Sequence, residues 1–124
     1  MGHNILVVDD EPGIVVPLRF LMEQSGYTVA TADCGDQALA ALDHFTPDLI
    51  LLDIMLPDID GFQICQALRA HPGSRNTRIV FLTAMGRQID MDKGLAMGAD
   101  AYIVKPFANA EVLATVRRLL DAYS

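Results

Sequence analysis

Asp9 and Asp10 follow the run ILVV, Asp53 follows LILL, Thr83 follows IVFL and Lys105 follows YIV. Three carboxylates, one hydroxyl and one ammonium thus each stand directly behind a short apolar segment. Carboxylates brought within a few ångströms of one another raise each other's pKa unless a cation joins them. A donor set of oxygens without His or Cys points to Mg²⁺, with Mn²⁺ as a second ion that carboxylates accept. A divalent ion beside a lysine and a threonine makes a place for a phosphoryl group, and a carboxylate next to it can attack phosphorus. Asp53 is the best-placed nucleophile, because its apolar run is the middle one of five.

These residues converge only if the apolar runs are parallel strands of one sheet. The pattern alternates five times between a short strand and a helix: strands at 5–8, 28–32, 49–52, 79–82 and 102–104, helices at 12–25, 36–45, 62–70, 86–97 and 109–122. Near-continuous aliphatic strands suit a sheet buried on both faces, and strand–helix alternation suits a parallel sheet with helices on each side. All strand C-termini then lie on one edge, the edge where open α/β sheets bind ligands. Asn109 is expected to cap the last helix, and Gly26 to follow the end of the first. Pro17 falls inside the first helix, where it removes one backbone hydrogen bond.

Each polar residue also has an ordinary structural role. Asp10 can complement the first helix, with Glu11 and Pro12 in its first turn; Asp53 can open a turn; Thr83 can cap a helix; Lys105 can be a solvated loop lysine. Those roles do not explain why all of them fall at strand ends with opposite charges facing.

Composition narrows the remaining possibilities. The 124 residues are 52% hydrophobic, enough to bury a core in a single domain over 1–124. A formal net charge of −7 argues against nucleic-acid binding. No apolar run approaches the ~20 residues of a membrane span, and acidic residues interrupt the N-terminal apolar run where a signal peptide's core would continue. A cytoplasmic location is therefore expected. Cys34 and Cys65 form no CxxC pair and read as reduced thiols, and His3, His44 and His71 lack metal-ligand spacing and read as surface residues.

The segments ILVVDDEP, PDLILLDIMLPDIDG, IVFLTA and GADAYIVKPF, with the spacing among them, resemble the receiver domain of two-component response regulators. The likeness covers about residues 4–122 and is nearest to receivers of winged-helix, DNA-binding regulators. It implies a five-stranded parallel sheet in the order 2-1-3-4-5 with helices on both faces. It implies that Asp53 accepts a phosphoryl group from a phosphohistidine of a sensor histidine kinase or phosphotransfer protein. Asp10, Asp53 and the backbone carbonyl of Met55 would bind Mg²⁺, with Asp9 acting through water. Thr83, the Ala84 N–H and Lys105 would hold the phosphoryl oxygens, and the Lys105–Pro106 bond would be cis. Thr83 and Tyr102 would form a switch that alters the face made by the fourth helix, fifth strand and fifth helix, for partner binding or dimerisation; a plain amphipathic Tyr at a strand edge is the other reading of Tyr102.

Of the charges that pair across this face in winged-helix regulators, Asp100, Glu111 and Arg118 match, whereas Met91, Ala101 and Thr115 replace charged residues. The chain reads as a stand-alone receiver or as a piece of a longer regulator or hybrid kinase. The resemblance implies a phosphoacceptor signalling domain that promotes only its own phosphotransfer and dephosphorylation. A phosphatase of the haloacid-dehalogenase type fits less well: it needs a second Asp two residues after the first-strand nucleophile, where Glu11 stands here. A receiver that no longer takes phosphate conflicts with the presence of Asp10, Asp53, Thr83 and Lys105 together.

Overall fold

The computed structural model describes residues 2–121. Its elements run β1 (Asn4–Val8), α1 (Pro12–Gln24), β2 (Thr28–Ala32), α2 (Gly35–Ala41), β3 (Leu49–Leu52), α3 (Gly61–Ala70), β4 (Arg78–Thr83), α4 (Gln88–Ala96), β5 (Ala101–Val104) and α5 (Asn109–Asp121). The strands form one parallel sheet in the order β2-β1-β3-β4-β5, so β3 lies at the centre.

The aliphatic runs split by parity, as the two-residue period of a strand requires. Ile5, Val7, Leu49, Leu51, Val80 and Leu82 face Leu18 and Met22 of α1 and Val112, Val116 and Leu120 of α5. Leu6, Val8, Ile50, Leu52, Ile79 and Phe81 face the opposite way, toward Ala38 of α2 and Ile64 and Leu68 of α3. Every residue of β3 is fully buried, because the central strand has a covered face on both sides. α4 approaches through Gly94, where a Cβ would stand 3.0 Å from the Tyr102 ring and 3.2 Å from Phe81.

Several element ends shift by one residue from the sequence pattern, and three departures have a distinct physical reason. The second helix stops at Ala41 and not at Phe45. Leu42, Asp43 and His44 donate to carbonyls three residues back, a tightened end that turns the chain toward Pro47 and β3; the residue before a proline disfavours helix. Leu42 and Phe45 still pack against the core, which is why their spacing looked helical. The fourth helix begins at Gln88, two residues later than its pattern suggests, since Arg87 is extended at φ −72°, ψ 148°. Asn109 is the first residue of α5 and not its cap: the Glu111 and Val112 N–H groups donate to the Ala108 carbonyl. The expected end of that helix at Ala122 lies outside the described residues. α1 runs unbroken through Pro17, which sits exposed on its outer side. Cys34 and Cys65 are free thiols; His44 and His71 are exposed, and His3 lies half-buried beside Tyr27.

The turn after β3 closes tightly. Gly61 N–H donates to the Ile54 carbonyl at 2.9 Å, and a Cβ on Gly61 would stand 2.5 Å from the Asp53 carbonyl oxygen and 2.8 Å from Ile54 Cα. Both obstacles are backbone, so the loop itself would have to move. Gly61→Ala is expected to cost about 1–3 kcal/mol in urea unfolding. Gly73→Ala, where a Cβ meets nothing within 4 Å, should stay within about 0.5 kcal/mol of the parent.

Candidate functional site

The ladder hydrogen bonds continue one residue past the ends of the strands and thereby place the polar groups. Asp9 N–H donates to the Ala32 carbonyl at 3.1 Å, Asp53 N–H to Val8 at 3.0 Å and Lys105 N–H to Thr83 at 2.8 Å. Asp9, Asp53 and Lys105 therefore stay in sheet register while their side chains leave the core at its C-terminal edge.

There the Lys105 ammonium lies among three carboxylates: 2.9 Å from Asp9 Oδ2, 2.8 Å from Glu11 Oε1 and 2.9 Å from Asp53 Oδ2. Asp9 and Asp53 are each only 3% exposed, while Asp10 and Glu11 are open to solvent. The remaining oxygens of the buried pair accept backbone donors, Asp9 Oδ1 from Glu11 N–H at 2.9 Å and Asp53 Oδ1 from Met55 N–H at 3.0 Å. Burial pushes the Asp9 carboxyl above its usual pKa, and the Lys105 ammonium only partly opposes that shift. Burial alone would depress Lys105, yet Glu11, Asp9 and Asp53 together drive it well above the usual lysine range. The ammonium is thus locked in its charged form.

One cation does not balance this site. One carboxylate oxygen from each of Asp9, Asp10, Glu11 and Asp53 lies within 4.8 Å of the others; four carboxylates and one ammonium sum to a formal −3. Asp9 Oδ2, although near Nζ, is buried with no hydrogen-bond donor in bonding geometry. An oxygen-only cluster with excess negative charge and an orphaned buried oxygen fits a hard divalent cation.

Thr83 is fully buried, and its Oγ1 lies 3.4 Å from the Met85 N–H, a long contact. Ala84 is exposed beside it. Tyr102 is half-buried, its hydroxyl donating to the Met85 carbonyl and its ring 5.8 Å from that of Phe81. Burial, with Asp90 and Asp53 adding repulsion, pushes the Tyr102 phenol up to about 12. The hydroxyl therefore stays a donor at neutral pH and ties β5 to the loop after β4. The Lys105–Pro106 peptide is cis. An open cleft of about 520 Å³ lies alongside, lined by Asp10, Met55, Phe62, Met85 and Lys93 among others.

Asp9, Asp10, Asp53 and Lys105 thus meet at one edge, with Thr83 in register beside Val104 and its carbonyl accepting from the Lys105 N–H. Glu11 was the residue that sequence reasoning missed: an acid in the first turn of a helix has an ordinary explanation, and only the fold shows it reaching Lys105. Asp100, matched by resemblance to an intermolecular charge pair, is engaged within the chain by Arg69 at 3.1 Å, Arg78 at 3.7 Å and the Ile79 N–H at 2.8 Å.

Residues 5–117 match the family model described as the response regulator receiver domain. Over 120 residues, the chain is 45% identical to the alkaline phosphatase synthesis transcriptional regulatory protein PhoP of Bacillus subtilis, covering 97% of this chain and 49% of that protein. It is 42% identical to the phosphate regulon transcriptional regulatory protein PhoB of Rhizobium meliloti, covering 97% of this chain and 53% of that one. The chain therefore spans about half the length of these curated relatives. Among solved structures, the BeF3-activated DrrB receiver domain superposes with a TM-score of 0.89 at 32% identity, covering 98% of this chain and 99% of that one. The chemotaxis response regulator CheY4 of Vibrio cholerae gives 0.90 at 32% identity, covering 97% and 100%. Among the described residues no helix is long and apolar enough to cross a membrane.

Removing the ammonium should expose how strongly the carboxylates repel. Lys105→Met is expected to cost about 3 kcal/mol in metal-free buffer, the scale for stranding buried charges. Adding Asp9→Asn to that variant should restore part of the loss, giving a non-additive double-mutant cycle by urea unfolding.

Proposed function

Because the chain belongs to the response regulator receiver domain family, we propose that Asp53 is its phosphoacceptor. Receiver domains of two-component systems work with histidine kinases, and the donor here is the phosphohistidine of a sensor kinase or of a phosphotransfer protein. The observation that carries this reading is the single ammonium of Lys105 set among Asp9, Glu11 and Asp53 at the sheet's C-terminal edge. It supplies a nucleophile and a positive charge at one point.

An Asp53 carboxylate oxygen attacks phosphorus in line with the leaving imidazole nitrogen. The P–N bond breaks, its electron pair returns to the ring, and a ring protonated on its other nitrogen departs as neutral imidazole. The product is an acyl phosphate on Asp53. Lys105 pairs with the phosphoryl oxygens in place of the Asp53 carboxylate, and Thr83 and the Ala84 N–H donate to them. Asp10, Asp53 and the Met55 carbonyl would hold Mg²⁺, or Mn²⁺ in its place, which when bound neutralises charge on the phosphoryl group. Asp9, buried against Lys105, would act on that ion through water and keep the lysine aimed at Asp53.

The transferred group brings roughly two negative charges. Thr83 then gains by moving from its long contact with Met85 N–H toward the phosphoryl oxygens. Tyr102 holds the Met85 carbonyl in the same loop, so this movement alters its environment and shifts the population of states of the α4–β5–α5 face. Ile89, 69% exposed, and Leu95, 49% exposed, lie on α4, an apolar supplement suited to a partner or to a second copy of the chain. Control of an output domain, as the relatives' names as transcriptional regulators suggest, is the role proposed for the longer protein.

Radiolabelled acetyl phosphate with Mg²⁺ should label the unsubstituted domain and leave Asp53→Asn unlabelled; undiminished labelling of the variant rules Asp53 out as acceptor. Chelation with EDTA should abolish labelling of the unsubstituted domain and an excess of Mg²⁺ restore it, while labelling that persists in EDTA removes the divalent ion from the reading.

A further inference from the structure

The loop that follows Asp53 is fastened to α2 by a carboxylate that the site chemistry leaves unused. α2 begins without a cap of its own: Cys34 occupies the N-cap position and makes no side-chain cap bond. The first helical N–H groups nonetheless have acceptors. Gly35 N–H donates to Asp58 Oδ1 at 2.7 Å and Asp36 N–H to Asp58 Oδ2 at 2.8 Å. Asp58 therefore caps α2 from 23 and 22 residues away in sequence, with its negative charge at the positive end of the helix. The carboxyl is held below its usual pKa, chiefly by the Gly35 and Asp36 N–H groups.

The neighbouring residue makes the same junction sterically. A Cβ on Gly35 would fall 2.1 Å from Ile59 Cγ1 and 2.7 Å from Ile59 Cδ1, so the Ile59 side chain occupies the space that any other residue at position 35 would need. Two consecutive loop residues, one polar and one apolar, thus fit a single helix start.

The segment fixed in this way carries Met55. Its N–H is tied to Asp53 Oδ1, and the loop closes on itself through the bonds of Leu56 N–H and Gly61 N–H to the Ile54 carbonyl. Inside the loop these bonds set its shape; Ile54, Leu56 and Ile59 pack it on the core, and Asp58 ties it to the start of α2. We infer that Asp58 is a positioning residue for the cation site: by capping α2 it places the Met55 backbone relative to Asp10 and Asp53, so cation binding and the order of the α2 N-terminus favour each other. This inference rests on the proposed role of Met55 as a ligand. Coupling between two sites is reciprocal: if the cap improves cation affinity, the cation must strengthen the cap.

Both directions are measurable by NMR without phosphorylation. In a Mg²⁺ titration, Asp58→Ala should weaken binding at least about fivefold, the lower end of typical coupling, and Asp58→Asn, which keeps one acceptor oxygen, should fall between it and the parent. In the unsubstituted protein, saturating Mg²⁺ should slow hydrogen exchange of the Gly35 and Asp36 amides. An Asp58→Ala protein that is less stable yet binds Mg²⁺ with unchanged affinity would reduce Asp58 to a helix cap and overturn the inference, as would exchange at Gly35 and Asp36 that Mg²⁺ does not alter. Failure of the underlying cation reading looks different: the unsubstituted protein itself would then show no Mg²⁺-dependent shifts at Asp10, Asp53 or Met55, and both readings would fall together.

Discussion

A single lysine ammonium, largely shielded from water and faced by three carboxylates, is the constraint around which this molecule is organised. Asp9 and Asp53 are buried side by side at the end of a fully aliphatic sheet, where two carboxylates need a cation between them. Burial alone would weaken the hold of Lys105 on its proton, and the carboxylates reverse that effect. Each charge is tolerable only in the presence of the others. That mutual dependence rests on the register of a parallel sheet: β1 and β3 end level, Val8 beside Leu52, while β4 and β5 run two residues further, and the long Lys105 side chain spans the offset to meet both carboxylates.

Balance of this kind also leaves the site responsive. Four clustered acidic side chains and one base retain negative charge. Two of the acids, Asp10 and Glu11, are open to solvent, and the other two are buried. The site thus combines a largely buried floor of Asp9, Asp53 and Lys105 with an exposed rim, and within the floor Asp9 Oδ2 is ion-paired with Lys105 but lacks a donor in hydrogen-bonding geometry.

Much of this was legible in the residue order. The near-continuous aliphatic runs announce strands covered on both faces, and a polar residue behind each run marks the edge where those strands stop. What could not be read has physical reasons. Leu42 and Phe45 kept helical spacing while packing from a tightened turn, so periodicity overran the end of α2. Asn109 has the right chemistry for a cap, but Ala108 occupies that position, because a preference is weaker than the chain path out of Pro106. Glu11 was hidden by a commonplace alternative. Asp58 was invisible for a deeper reason: its partners lie more than twenty residues earlier, and local pattern holds no record of a cap supplied across space.

The unbroken burial of Leu49–Leu52 has a consequence for how such a domain can vary. Alternate residues of β3 belong to opposite cores, and Asp53 follows without a spacer. Inserting or deleting one residue would exchange the two hydrophobic faces and move the carboxylate by ~3.3 Å, one strand step. Neither change can be absorbed gradually. The distance between Asp53 and its lysine is therefore quantised by the backbone, and variation is channelled into substitutions within the strand and length changes in distant loops. The central strand behaves as a ruler with one permitted mark.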